Sequence, residues 1–128
     1  MLLYIRHALI TTIFIVVSIQ QGTSIKCYVC NSNMNSSCGE IINTTAISAT
    51  DCNSYNRPTQ EYSYDIFCQK IKIEDAEGHN NITFMRGCSV QIPGYDACDD
   101  IESTIGRLTD GAAVVTSCVT CAHDLCNI

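Results

Sequence analysis

Ten cysteines in 128 residues constrain this chain more than any other feature. Three of them crowd into Cys118-Val119-Thr120-Cys121-Ala122-His123-Asp124-Leu125-Cys126-Asn127, after which only Ile128 follows. Such a cluster is a cross-linking knot, a metal site or a catalytic loop, and the cell compartment decides among them.

The compartment is read at the other end. Arg6 and His7 precede an apolar run from Ala8 to Ile19, interrupted by Thr11, Thr12 and Ser18, and Gly22-Thr23-Ser24 supplies small residues. A basic start, a short apolar stretch and a small-residue cut site make a secretory signal peptide over residues 1–24. The run is too short to span a bilayer comfortably, so cleavage after Ser24 is expected, with one domain over residues 25–128. Every cysteine lies in that domain: Cys27, Cys30, Cys38, Cys52, Cys68, Cys88, Cys98, Cys118, Cys121 and Cys126. In an oxidising compartment an even number at this density reads as a disulfide framework.

The apolar inventory agrees. Beyond the leader the only leucines are Leu108 and Leu125, the only phenylalanines Phe67 and Phe84, and there is no Trp. A core this thin leaves bridges to supply the stability that packing cannot. Asn35-Ser36-Ser37, Asn43-Thr44-Thr45 and Asn81-Ile82-Thr83 are N-glycosylation sequons, each marking a surface position if occupied. Loss of Arg6 with the leader takes the formal charge from −6 to −7. The chain therefore has no basic patch for nucleic acid or anionic lipid.

Between cysteines, short β-like runs alternate with turn residues. Ile25 to Val29 reads as a strand, and Asn31 to Gly39 as an Asn- and Ser-rich loop. Asn53 to Gln60 is irregular. Ile66 to Glu74, ending in apolar–charged alternation, and Ile82 to Arg86 form a β-hairpin whose tip, Asp75 to Asn81, contains Gly78. Cys98 to Cys118 encloses a third excursion, in which Asp99 to Leu108 fits a short helix as well as irregular chain. The pattern predicts three loops leaving a cysteine-dense base.

These residues resemble a known family. The opening Cys27-x-x-Cys30 and the closing Cys121-x-x-Asp124-x-Cys126-Asn127 are similar to the signature of the lymphocyte-antigen-six/uPAR three-finger proteins. The spacing Cys118-Val119-Thr120-Cys121 and the tripeptide Arg86-Gly87-Cys88 resemble its sleepless (quiver) branch. The resemblance implies a small all-β, disulfide-rich, three-finger (snake-toxin-like) fold with five disulfides. Cysteine spacing alone leaves roughly a thousand pairings open. The resemblance implies Cys27–Cys68, Cys30–Cys38, Cys52–Cys88, Cys98–Cys118 and Cys121–Cys126. It also implies that Asn127 hydrogen-bonds to the backbone of the base and that Asp124 belongs to the same structural motif. The interval from Cys52 to Cys68 is longer than in compact members, so residues 53–65 are expected to bulge.

Two chemical readings of the cysteines compete with this one. Cys27, Cys30, Cys118 and Cys121 together offer a zinc-ribbon inventory, but the two pairs stand far beyond the ~15–20 residues that separate them in common ribbons. Cys121-Ala122-His123-Asp124-Leu125-Cys126 is similar to the His-Asp motif of secreted phospholipase A2, yet one residue is missing between cysteine and histidine and no Gly-rich calcium loop exists. No Ser/His/Asp constellation has recognisable context. The expectation is a non-enzymatic protein without metal or cofactor. By resemblance, its partner is a membrane ion channel or receptor ectodomain, a Shaker-type potassium channel or a nicotinic acetylcholine receptor, affecting excitability, cholinergic transmission and sleep. Septate-junction assembly or trafficking, and action as a soluble ligand, are the alternatives. Relatives carry a small-residue site, a polar spacer and an apolar tail that is exchanged for a GPI anchor. With only Ile128 after Asn127, release as a soluble protein is expected of the chain as written. Anchorage on the outer plasma-membrane face is expected if a tail has been lost from the sequence.

Overall fold

The computed structural model describes residues 25–54, 65–78 and 81–128. The expected signal peptide and most of the expected bulge lie outside the described residues. Of that bulge, only the single 3-10 turn Cys52–Ser54 and the first strand residue Asp65 are described.

Among the described residues, six strands and one α-helix follow in order: β1 Lys26–Tyr28, β2 Cys30–Asn31, β3 Ala49–Asp51, β4 Asp65–Asp75, β5 Ile82–Gln91, α1 Ala97–Leu108 and β6 Ala113–Cys121. Antiparallel β1 and β3 form a two-stranded sheet, and β2-β5-β4-β6 a four-stranded one. The first finger is the excursion from β1 to β3, the second the β4–β5 hairpin, and the third the segment carrying α1 and β6. The molecule is a small, disulfide-rich three-finger fold, with one α-helix among the described residues.

Register explains how the fingers share a base. Cys68 on β4 lies opposite Cys88 on β5 and Cys121 on β6, so three cysteines stand in a row on one face. Directly opposed residues share a face. Each leaves the sheet to a different partner: Cys68 to Cys27, Cys88 to Cys52 and Cys121 to Cys126. Cys27 and Cys52 sit where β1 and β3 pair, and their Sγ atoms are 3.0 Å apart. Ile25, Cys27, Cys52 and Cys68 are the buried centre, flanked by Ile66, Cys88, Cys121 and Cys126. The core is therefore largely sulfur, as the scarcity of large apolar residues requires. Tyr28, Ile42 and Ile47 form a smaller cluster against Cys30 and Leu125.

The alternation in β4 divides its two faces. Ile71 lies opposite Cys118, whose bridge to Cys98 places α1 on that face. Cys68, Lys70, Lys72 and Glu74 lie on the other. The helix was one of two readings open in the sequence, and its ends show why it forms. Asp96 caps it, its side chain accepting from the Cys98 N–H at 2.8 Å. Asp99 and Asp100 in the first turn and Arg107 in the last favour the helix dipole. Ile101 and Ile105, one turn apart, are half-buried. The hairpin tip turns at Gly78, whose φ of 74° suits a residue without Cβ.

Candidate functional site

The closing motif works as a substitute strand along β1. The Lys26 N–H donates to Asp124 Oδ1 at 2.8 Å, and the Leu125 N–H donates to the Lys26 carbonyl at 2.7 Å. One residue pair further on, Asn127 Oδ1 accepts from the Tyr28 N–H at 3.1 Å. Its Nδ2 donates to the carbonyls of Tyr28 at 2.9 Å and Gln69 at 3.1 Å. One buried amide thus ties the first finger, the second finger and the chain's last residues together. To reach this arrangement Leu125 adopts φ 56°, a left-handed conformation that disfavours a side chain such as leucine. The short Cys121–Cys126 bridge and Leu125 packing hold it there.

A second lock lies beside the first. Arg86 is only 4% exposed, and its donors meet carbonyls. Nε donates to Asn127 at 2.7 Å, Nη1 to Cys38 at 3.2 Å and to Gly39 at 2.9 Å, and Nη2 to Glu40 at 3.0 Å. Burial lowers the guanidinium's pKa from its ordinary value. Lys70, opposite Arg86 on the same face, donates to the Glu40 carbonyl at 3.1 Å and to a main-chain oxygen of Ile128 at 2.9 Å. Its pKa is also lowered, first by desolvation and then by Arg86, against the opposing pull of Glu40. Beside Lys70, a groove of about 410 Å³ is lined by Glu40, Ile41, Ile42, Thr44 and Ile128.

Further out on this face the sheet presents side chains to solvent. Phe84 opposes Lys72, Ile82 opposes Glu74, and from β6 come Val114, Ser117 and Val119. Ile82, Val114 and Val119 are exposed, while Phe84 is half-buried. In their midst Lys72 Nζ and Glu74 Oε1 pair at 2.6 Å. That hydrogen bond raises the pKa of Lys72 and lowers that of Glu74. The result is an apolar field around one neutralised ion pair.

The remaining sequence candidates distribute as follows. Cys30 bonds to Cys38, which closes the Asn-rich loop. The four thiols of the zinc reading are divided among four bridges, Cys27–Cys68, Cys30–Cys38, Cys98–Cys118 and Cys121–Cys126. Cys27, Cys52 and Cys88 bring their sulfurs within 4.8 Å of one another, yet these sulfurs belong to disulfides. Metal binding needs thiolates. His123 is exposed on the Cys121–Cys126 loop, and its neighbour Asp124 is engaged with Lys26. Asn35, Asn43 and Asn81 are all exposed, on the first finger, its base and the hairpin tip. Among the described residues, no helix is long and apolar enough to cross a membrane.

A cysteine-row base that sends out three fingers, locked by a Cys-Asn closing motif, defines a u-PAR/Ly-6-type three-finger domain. The family model of the Quiver family u-PAR/Ly-6-like domain matches residues 25–127, and the chain belongs to that family. No curated protein and no solved structure matches it.

Proposed function

We propose that this protein is an extracellular, non-enzymatic modulator that binds the ectodomain of a membrane ion channel or receptor. The targets suggested by family resemblance are Shaker-type potassium channels and nicotinic acetylcholine receptors. Residues 1–24 direct the chain to the secretory route, where the ten cysteines oxidise and the sequons become accessible to glycosylation. The Quiver-type domain supports a membrane-protein partner in general terms.

The observation that carries the reading is the open sheet face. Ile82, Phe84, Val114 and Val119 stand around the Lys72–Glu74 pair on a rigid, disulfide-held platform. Apolar groups already fixed in place lose little conformational freedom on binding, and an aromatic amid apolar neighbours is the usual kind of interface anchor. The ion pair is neutral as a unit, so the field avoids the desolvation of a lone charge.

Affinity capture by the tagged, oxidised domain from neuronal membranes, followed by mass spectrometry, tests the proposal. Val119→Asp together with Phe84→Ser should abolish capture of a channel or receptor while leaving secretion intact. Undiminished capture by that variant would remove the sheet face from the interface. Recovery of junctional proteins from epithelial membranes, with nothing from neurons, would favour the septate-junction alternative.

A further inference from the structure

The groove beside Lys70 combines two demands. Ile41, Ile42 and Ile128 make it apolar, and Ile41 is 90% exposed. The Lys70 ammonium nevertheless sits at its side, held by the Glu40 carbonyl and a main-chain oxygen of Ile128. An occupant needs a C–H face for the isoleucines and oxygen atoms for the ammonium. A pyranose ring has both.

The sequence places such a group at the rim. Asn43-Thr44-Thr45 is a sequon, and Ile42 and Thr44, the two neighbours of Asn43, both line the groove. Asn43 Oδ1 accepts from the Thr45 N–H at 3.2 Å and the Thr45 hydroxyl at 2.7 Å. This turns Nδ2, the atom to which a glycan attaches, away from that contact. Asn35 lies in the loop closed by Cys30–Cys38, and Asn81 at the hairpin tip, so neither adjoins the groove.

We infer that the innermost N-acetylglucosamine of a glycan on Asn43 lies in this groove, its C–H face on Ile41 and its oxygens toward Lys70. The groove is then a cradle for the protein's own sugar, closed to partners, and the sheet face is left as the open surface. Attachment forms the Asn43 Nδ2–C1 bond and breaks the C1–O bond to a polyprenyl-diphosphate oligosaccharide donor. The amide gives up one proton, and the lipid diphosphate leaves with the electron pair. The inference rests on the extracellular reading above, because the donor and its transferase act only in the secretory route.

The test uses the full chain expressed in a eukaryotic secretory cell line, with glycopeptide mass spectrometry and timed native digestion by peptide-N-glycosidase. Asn43 should carry a glycan that is released more slowly than any glycan on Asn35 or Asn81. Ile41→Ser should leave the glycan in place and remove that delay. Thr45→Ala should delete the glycan and speed amide exchange at residues 40–44, whereas Thr45→Ser, which keeps the sequon, should restore both. A secreted, fully oxidised protein with a bare Asn43 overturns the inference alone, as does an Asn43 glycan released as fast as the others. A protein retained in the cytosol with reduced cysteines and no glycan overturns the extracellular reading as well.

Discussion

Arg86 shows how much one side chain contributes in a domain with almost no core. Its guanidinium is buried and answered by carbonyls, so each bond is charge-assisted and worth about 1.5–3 kcal/mol. Arg86→Lys keeps the charge but offers three N–H groups from a single nitrogen, which cannot span Asn127, Gly39 and Glu40 together. Denaturant unfolding should show a loss of about 2–4 kcal/mol, and an unchanged midpoint would refute the clamp. Asn127→Asp tests the neighbouring lock. At neutral pH it places a carboxylate against the carbonyls of Tyr28 and Gln69, where Nδ2 now donates. The expected cost is about 3 kcal/mol. Burial and those carbonyls raise the new carboxyl's folded pKa above its unfolded value, so the deficit should be smallest below about pH 4 and grow as pH rises through the folded pKa. A deficit independent of pH would contradict the assignment. Asn127 and Asp124 are legible in the sequence through the closing motif. Arg86 is legible only as part of a tripeptide, because the loop that buries it, residues 38–40, is remote in sequence. Periodicity reports which face a residue takes and says nothing of what folds over that face.

At the scale of elements, the hairpin was legible and its extent was not. Apolar–charged alternation marks Ile66 to Glu74, but Gly87, Ser89 and Gln91 carry no such signal. They are strand because Gln69, Phe67 and Asp65 continue the ladder beside them. The helix is ambiguous in the sequence for a related reason, since two half-buried isoleucines make a weak stripe and the capping Asp96 lies before the Asp99 to Leu108 run. These elements are not equally essential. Cys98–Cys118 closes a separation of 20 residues and fixes α1 to β6, whereas Cys52–Cys88 ties the hairpin to the first finger within the core. The double variant Cys98→Ala/Cys118→Ala should therefore still be secreted, less stable by about 3 kcal/mol. Cys52→Ala/Cys88→Ala should be retained inside the cell, as removal of a core bridge from a small domain commonly abolishes folding. Immunoblots of medium and lysate distinguish the two, and equal secretion of both would show the base to be less dependent on sulfur than its packing indicates.

The whole molecule is a rigid base with surfaces of very different character, and their distribution bears on how it acts. A three-finger protein that competes with a receptor's agonist does so by inserting a cationic fingertip into an aromatic pocket, a cation–π contact. Here the hairpin tip between β4 and β5 contains no Lys or Arg, and Asp75 and Glu77 make it acidic. Asn81 at its far side is a sequon, and a glycan there would add bulk where insertion demands a narrow probe. The cations of the second finger lie further down: Lys72 is paired with Glu74, while Lys70 and Arg86 are bound to carbonyls. The tip thus lacks the positive charge for an agonist pocket. The apolar field of Ile82, Phe84, Val114 and Val119 offers contact from the side. Modulation is accordingly expected without competition at the agonist site. Saturating glycosylated protein should leave the equilibrium binding of a competitive radioligand to nicotinic receptors undisplaced, even where receptor current or surface abundance changes. Asn81→Gln should not create displacement, because loss of the sequon leaves the tip acidic. Concentration-dependent displacement by either form would place the fingertip, and not the sheet face, at the receptor.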